Sequence, residues 1–270
     1  MWRQVIMNLS KFTFAYSRHG LIGFFNVMLG KIGIRYRLKT PLDKIIFYLG
    51  RNIEKLSKNK ILDGVYKDTH LEINRNWNSY DVASKFLGLY EKEVQNEIFN
   101  IQKNKKIKKK NLINLGAGEG YHLIGALKKK LFRYGVAYEM DNDAKNILKK
   151  NLVKNNLQNK VVIFDKVEEN FLEKSFPKKF KLRDCFFLID IEGDEFKLLN
   201  RHNLSKLNKS ILIIELHDFY FTPNKLLSRL KKIYKLKVIS TENRNLSKFK
   251  ILENLPDTEK WLLVNEGRPK

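Results

Sequence analysis

One short run, Asn114-Leu115-Gly116-Ala117-Gly118-Glu119-Gly120, carries the strongest chemical signal in this 270-residue chain. Glycines at alternate positions let the backbone bend sharply and let a ligand approach where a Cβ would block it. The spacing is G-x-G-x-G, not the G-x-G-x-x-G that seats a pyrophosphate on a helix N-terminus. Roughly 20 residues on stands Glu139, placed as is the carboxylate that accepts ribose hydroxyls at the end of a second strand. A ligand with a ribose but no phosphate suits that pair, and S-adenosylmethionine is such a ligand. Asn114, Gly116, Gly118, Gly120, Glu139 and the adjoining Met140 are therefore the expected cofactor residues. Asp165, at the end of a third expected strand, is assigned to the adenine amino group.

A second constellation is acidic. Asp190-Ile191-Glu192-Gly193-Asp194-Glu195 follows an apolar run, and Glu215-Leu216-His217-Asp218 follows another. Alternation along a strand puts Asp190 and Glu192 on one face. Asp190, Glu192, Glu215 and His217 are expected to converge as the catalytic group. A hydroxyl acceptor must lose its proton. His217 has the pKa class for that near neutrality, and a carboxylate raised by neighbouring negative charge is the other candidate. Carboxylate oxygens also coordinate divalent cations, but clustered acids more often orient a substrate, and no metal is expected. A nicotinamide dehydrogenase fits poorly, because the loop spacing is wrong and no Ser/Tyr/Lys or His/Arg arrangement is evident.

Both groups need a sheet to hold them. From Asn111 onward, short β-rich runs alternate with helical ones. Strands are expected at Leu112–Leu115, Gly135–Met140, Lys160–Asp165, Cys185–Ile191 and Ser210–Leu216. Helices are expected at Tyr121–Phe132, Asp143–Lys154 and Asp194–His202, with another near Pro223. The nearly continuous apolar runs indicate strands buried on both faces, and the alternation specifies a doubly wound, mainly parallel α/β sheet. Tyr234–Ser240 and Lys260–Asn265 are expected to close it as an antiparallel pair. Residues 1–105 read as a helical accessory or cap segment and 106–270 as the ligand-binding domain, divided near the basic run Lys103 to Lys110. Ser84 to Gln102 carries apolar residues at helical spacing. Phe12, Phe14, Tyr16, Phe24 and Phe25 lie among basic residues, as in a helix that covers a core or rests on a membrane surface.

These motifs resemble the FkbM-type S-adenosylmethionine-dependent methyltransferases over approximately Ser84 to Gly267. The likeness rests on Leu89-Tyr90-Glu91, Asn114 to Gly120, Tyr138-Glu139, Ile213-Ile214-Glu215 and Lys260-Trp261-Leu262-Leu263. Most specific is Ile189 to Glu195, similar to the family's D-x-E-G-x-E signature. The resemblance implies a Rossmann-like class I methyltransferase fold and O-methylation of a sugar or small-molecule hydroxyl. It assigns Gly116, Gly118, Gly120 and Glu139 to the cofactor, and Asp190 and Glu192 to the active site. Asn114 departs from the family, which usually has Asp there, and Met140 stands where proline is common.

Composition bounds the alternatives. Lys+Arg 53 against Asp+Glu 29 gives a net charge of +24, which suggests an anionic partner; yet the lysines are scattered, and Lys, Asn and Ile are abundant throughout. An RNA methyltransferase acting on a 2′-hydroxyl or ring carbon is the second reading. An amino-methylating enzyme needs Asn/Asp-Pro-Pro-aromatic where this chain has Asp-Ile-Glu-Gly. A binding module that has lost catalysis is the third reading, motivated by Asn114. The one cysteine, Cys185, allows no internal disulfide. No run reaches the roughly 20 apolar residues of a spanning helix, and a cytoplasmic location is expected.

Overall fold

The computed structural model of the protein describes residues 21–22, 41–73, 81–217 and 223–264. Phe12, Phe14, Tyr16, Phe24, Phe25, Asp218 and Asn265 lie outside them. In chain order the elements are α1 (Pro41–Leu56), α2 (Val82–Leu87), α3 (Lys92–Lys103), β1 (Asn111–Leu115), α4 (Tyr121–Lys128), β2 (Tyr134–Tyr138), α5 (Asn142–Lys154) and β3 (Val161–Phe164). They continue with α6 (Phe171–Lys174), β4 (Cys185–Ile189), α7 (Glu195–Leu198), α8 (Arg201–Leu207), β5 (Ile211–Ile214), α9 (Pro223–Lys231) and α10 (Asp257–Val264). No helix among the described residues is long and apolar enough to cross a membrane.

The five strands form one sheet in the order β3-β2-β1-β4-β5. Every pairing is parallel, with Asn111 opposite Tyr134 on one side and Cys185 on the other. The chain starts in the middle, moves outward through β2 and β3, then returns to β4 beside β1. That reversal makes the β1–β4 boundary the topological switch point, where open α/β sheets bind ligands.

Strand alternation sorts side chains onto two cores. Leu112, Ala137, Phe186 and Leu188 face one layer, and Ile113, Leu115, Val136, Phe187 and Ile189 the other. The first layer includes α4 and α5 and also Leu49, Ile53, Tyr66, Phe86, Leu87 and Ile98 from the helical segment before β1. The second is covered by Phe171, Phe196, Leu204, Leu207 and Leu226. The segment before the sheet thus shares a core with it.

Three expectations are corrected. Lys260–Asn265 is not a strand: Lys260 to Val264 belong to α10. Pro256 and the acids Asp257 and Glu259 form a helix start that outweighs the β-like run Trp261-Leu262-Leu263-Val264. Among the described residues Tyr234–Ser240 has no partner strand and forms no regular element, and Val238 is 85% exposed. The run from Ser84 to Gln102 is two helices, because Gly88 ends α2 in a left-handed conformation. Asp194–His202 is likewise broken, with Asn200 capping α8 through a bond from Asn203 N–H.

Tyr66 is fully buried against α4, where a Cβ added at Gly125 would lie 2.3 Å from its ring. Overpacking of this kind costs about 1–3 kcal/mol. Gly125→Ala should therefore lower the urea midpoint, and adding Tyr66→Leu should return part of the loss. Additive losses in the double variant would show that the segment does not pack as described.

Candidate functional site at the carboxyl edge of the sheet

The glycine loop begins where β1 passes closest to the end of β4. Gly116 has φ +78°, and a Cβ there would stand 1.7 Å from the Asp190 carbonyl oxygen. No side chain can occupy that space. The N–H groups of Gly116 and Ala117 both donate to the Tyr138 carbonyl at 2.9 and 3.0 Å, tying the loop to β2.

Glu139 faces this loop, as its position in the sequence suggests. Its Oε2 accepts from Gly118 N–H at 2.7 Å, and its Oε1 from Asp141 N–H at 2.8 Å. A buried ionised carboxylate is costly unless hydrogen-bonded, and these two donors hold it in place. Each oxygen keeps capacity for a further donor. Gly118, at φ +53°, would meet nothing within 4 Å of an added Cβ, so the loop is open on that side.

The other assigned cofactor residues divide. Asn114 is buried, with Nδ2 3.5 Å from the Gly116 carbonyl. Gly120 packs its α-carbon against Leu148 and Ile124. Met140 is 58% exposed. Asp165 projects into solvent and pairs with Lys145, which holds its carboxyl below the usual range.

Asp190, Glu192, Glu215 and His217 do converge. His217 Nε2 lies 3.7 Å from Asp190 Oδ1, 3.6 Å from Glu192 Oε2 and 3.8 Å from Glu215 Oε1. Its Nδ1 is 3.1 Å from Oε1 of Glu195, a fully buried carboxylate that also accepts from the N–H groups of Ile191 and Gly193. The Glu195 bond, followed by the acids around the ring, raises His217 to about 9. Burial first, then the charges of Glu215, Glu91 and Glu192, raises Asp190 to about 8. His217 is therefore an imidazolium at neutral pH, which removes it as the resting base and leaves that role to a carboxylate.

Sequence reasoning missed several participants. Glu91, between α2 and α3, brings a carboxylate within reach of Asp190 and Glu215. Its Oε2 is 2.8 Å from His122 Nε2, whose Nδ1 is 3.3 Å from the Tyr66 hydroxyl. Glu91 and Glu192 both adopt positive φ, +44° and +55°, a strain that side chains rarely carry without a surrounding structure to enforce it. The resemblance over Leu89-Tyr90-Glu91 was the available signal for Glu91; for His122 there was none. Asp190, Glu192 and His217, or Glu91, Asp190 and Glu215, bring ligand-type atoms within 4.8 Å of one another.

No protein-family model and no curated protein matches the chain. Solved structures do. The N-terminal domain of human METTL16 in complex with SAH is 18% identical, with 74% of this chain and 89% of that chain covered and a TM-score of 0.41. A putative O-methyltransferase from Klebsiella pneumoniae gives 13%, 73%, 73% and 0.31. Geranyl diphosphate methyltransferase in complex with GPP and sinefungin gives 8%, 72%, 80% and 0.38. At these scores the likeness carries no functional weight.

The two raised groups act on stability in one direction. A group whose pKa rises on folding stabilises fully below its unfolded value and loses that contribution as pH climbs to its folded one. The windows are 6.5 to about 9 for His217 and 3.8 to about 8 for Asp190. Thermal unfolding should therefore show stability falling from pH 7 to 9. Asp190→Asn should melt higher than the parent at pH 8.5, by about 2–4 °C for each kcal/mol recovered. A variant that melts lower throughout would contradict the charge repulsion described.

Proposed function

We propose that the protein is an S-adenosylmethionine-dependent methyltransferase acting on a hydroxyl of a sugar, glycan or small molecule. The observation that carries this reading is the Glu139 carboxylate held on Gly118 N–H at the switch point of a parallel sheet. The fit to the cofactor is good. Glu139 has acceptor capacity left for two ribose hydroxyls, and the uncovered side of Gly118 leaves room for a ligand to lie on the backbone. The similarity of Ile189 to Glu195 to the FkbM-type signature supports the same class.

When bound, S-adenosylmethionine supplies an electrophilic methyl group on a sulfonium sulfur. The chain's own contribution is placement and proton handling. Fixing an acceptor in line removes a barrier term of up to roughly 7–11 kcal/mol. His217, locked at Nδ1 by Glu195, presents Nε2 among three carboxylates. An acceptor hydroxyl set against this group gives its proton to a carboxylate oxygen, while the imidazolium offsets the charge left on the acceptor oxygen.

Isothermal titration tests the reading. S-adenosylmethionine and its demethylated product should both bind, and Glu139→Gln should weaken both by about 10- to 100-fold, as expected for losing hydrogen bonds to a charged group. Absence of heat with either ligand would sink the proposal.

A nucleic-acid acceptor is the second reading, favoured by the net charge of +24. Phosphate contacts release counterions, so RNA affinity should fall linearly on a log–log plot against salt. A filter-binding series with no retention at low salt would remove this alternative.

A further inference from the structure

Glu119, between Gly118 and Gly120, belongs to a buried triad that the acceptor chemistry does not use. Lys85 Nζ bonds Glu119 Oε1 at 2.5 Å and Asp81 Oδ2 at 2.7 Å. The three side chains are 8–10% exposed, so one ammonium stands between two buried carboxylates. Burial lowers a lysine, but here the two acids outweigh it and hold Lys85 above its ordinary range.

The triad sets two carboxyl groups against one ammonium, and the oxygen left over lies on Asp81. Asp81 immediately precedes α2 in the N-cap position yet makes no capping bond, although capping is what Asp ordinarily does there. Its Oδ1 is buried and has no hydrogen-bond partner. A buried carboxylate oxygen left bare costs free energy that a cationic N–H donor would recover. Burial foremost, with Glu119 adding, pushes the Asp81 carboxyl up against the pull of Lys85. The site is thus short of one positive donor.

The glycine loop lacks the complementary charge. Asn114, at its head, is neutral and reaches only the Gly116 carbonyl. An amino-acid group lying over this loop would find no carboxylate on Asn114. Asp81 and Lys85 are joined to the loop through Glu119, the neighbour of the open Gly118.

Resting on the methyltransferase reading, we propose that Asp81 and Lys85 form the subsite for the α-amino-acid end of the cofactor. Asp81 Oδ1 accepts from the α-ammonium, and Lys85 faces the α-carboxylate. The acid absent from position 114 is supplied by the helical segment before the sheet.

Titration with two ligands separates the parts. S-adenosylhomocysteine carries the amino-acid end, and 5′-methylthioadenosine has the same nucleoside without it. Asp81→Asn should weaken S-adenosylhomocysteine by about 10- to 100-fold and leave 5′-methylthioadenosine within about twofold. Equal loss for both ligands, or no loss for either, overturns the subsite. If the unmodified chain binds neither ligand, the methyltransferase reading fails first and this inference with it. Should Asp81→Asn not fold, the unmodified chain can be titrated with the deaminated analogue of S-adenosylhomocysteine. A drop of the same size supports the subsite, and unchanged affinity overturns it.

Discussion

The ends of β1 and β4 are pressed together, and the site is laid out from that contact. Gly116 leaves room for the Asp190 carbonyl, and Asp190 N–H donates to the Leu115 carbonyl at 3.0 Å. A side chain at 116 would force the strands apart at the one place where the sheet reverses its winding. From this seam the loop turns toward β2 and meets Glu139, while Asp190 looks toward β5 and meets Glu215 and His217. Glu139 and the acid cluster are both set out from a seam that a Cβ at position 116 would force open.

Electrostatics on the two scales run in opposite senses. The chain as a whole is strongly basic, yet the carboxyl edge of the sheet gathers Asp190, Glu192, Glu195 and Glu215 around one imidazole, with Glu91 beside Asp190 and Glu215. Burial and the neighbouring negative charges push the Asp190 carboxyl up. The positive charge of His217 is sustained locally by Glu195, whose carboxyl is held below its ordinary range. Burial opposes that lowering but is outweighed by the His217 bond and the N–H groups of Ile191 and Gly193.

Much of this was legible in the residues, and the division follows physical lines. Cys185–Ile189 announced itself because a strand covered on both faces must be apolar throughout. The loop was legible because few residue types permit that bend, and Glu139 because it ends the next strand beside it. Asp190, Glu192, Glu215 and His217 were found because they end strands, and strand ends in a parallel sheet share one edge. His122, Asp81 and Lys85 were not found, and Glu91 entered only through the resemblance, without a role. They come from helices whose relation to the sheet is tertiary, and their spacing in the chain carries no trace of the partners they meet. The end of the chain failed for another reason: Trp261 to Val264 is as compatible with a strand as with a helix, and Pro256 with its following acids decides.

That dependence on distant segments reaches into thermodynamics. Asp81, Lys85 and Glu91 lie in or beside helices sharing one apolar layer with β1 and β4, and β1 meets β4 only across a long loop closure. No fragment of the chain holds the complete constellation, so occupancy and global folding are linked equilibria. A small molecule lodged there would act as a rivet through the whole protein, and its release would loosen regions that never touch it.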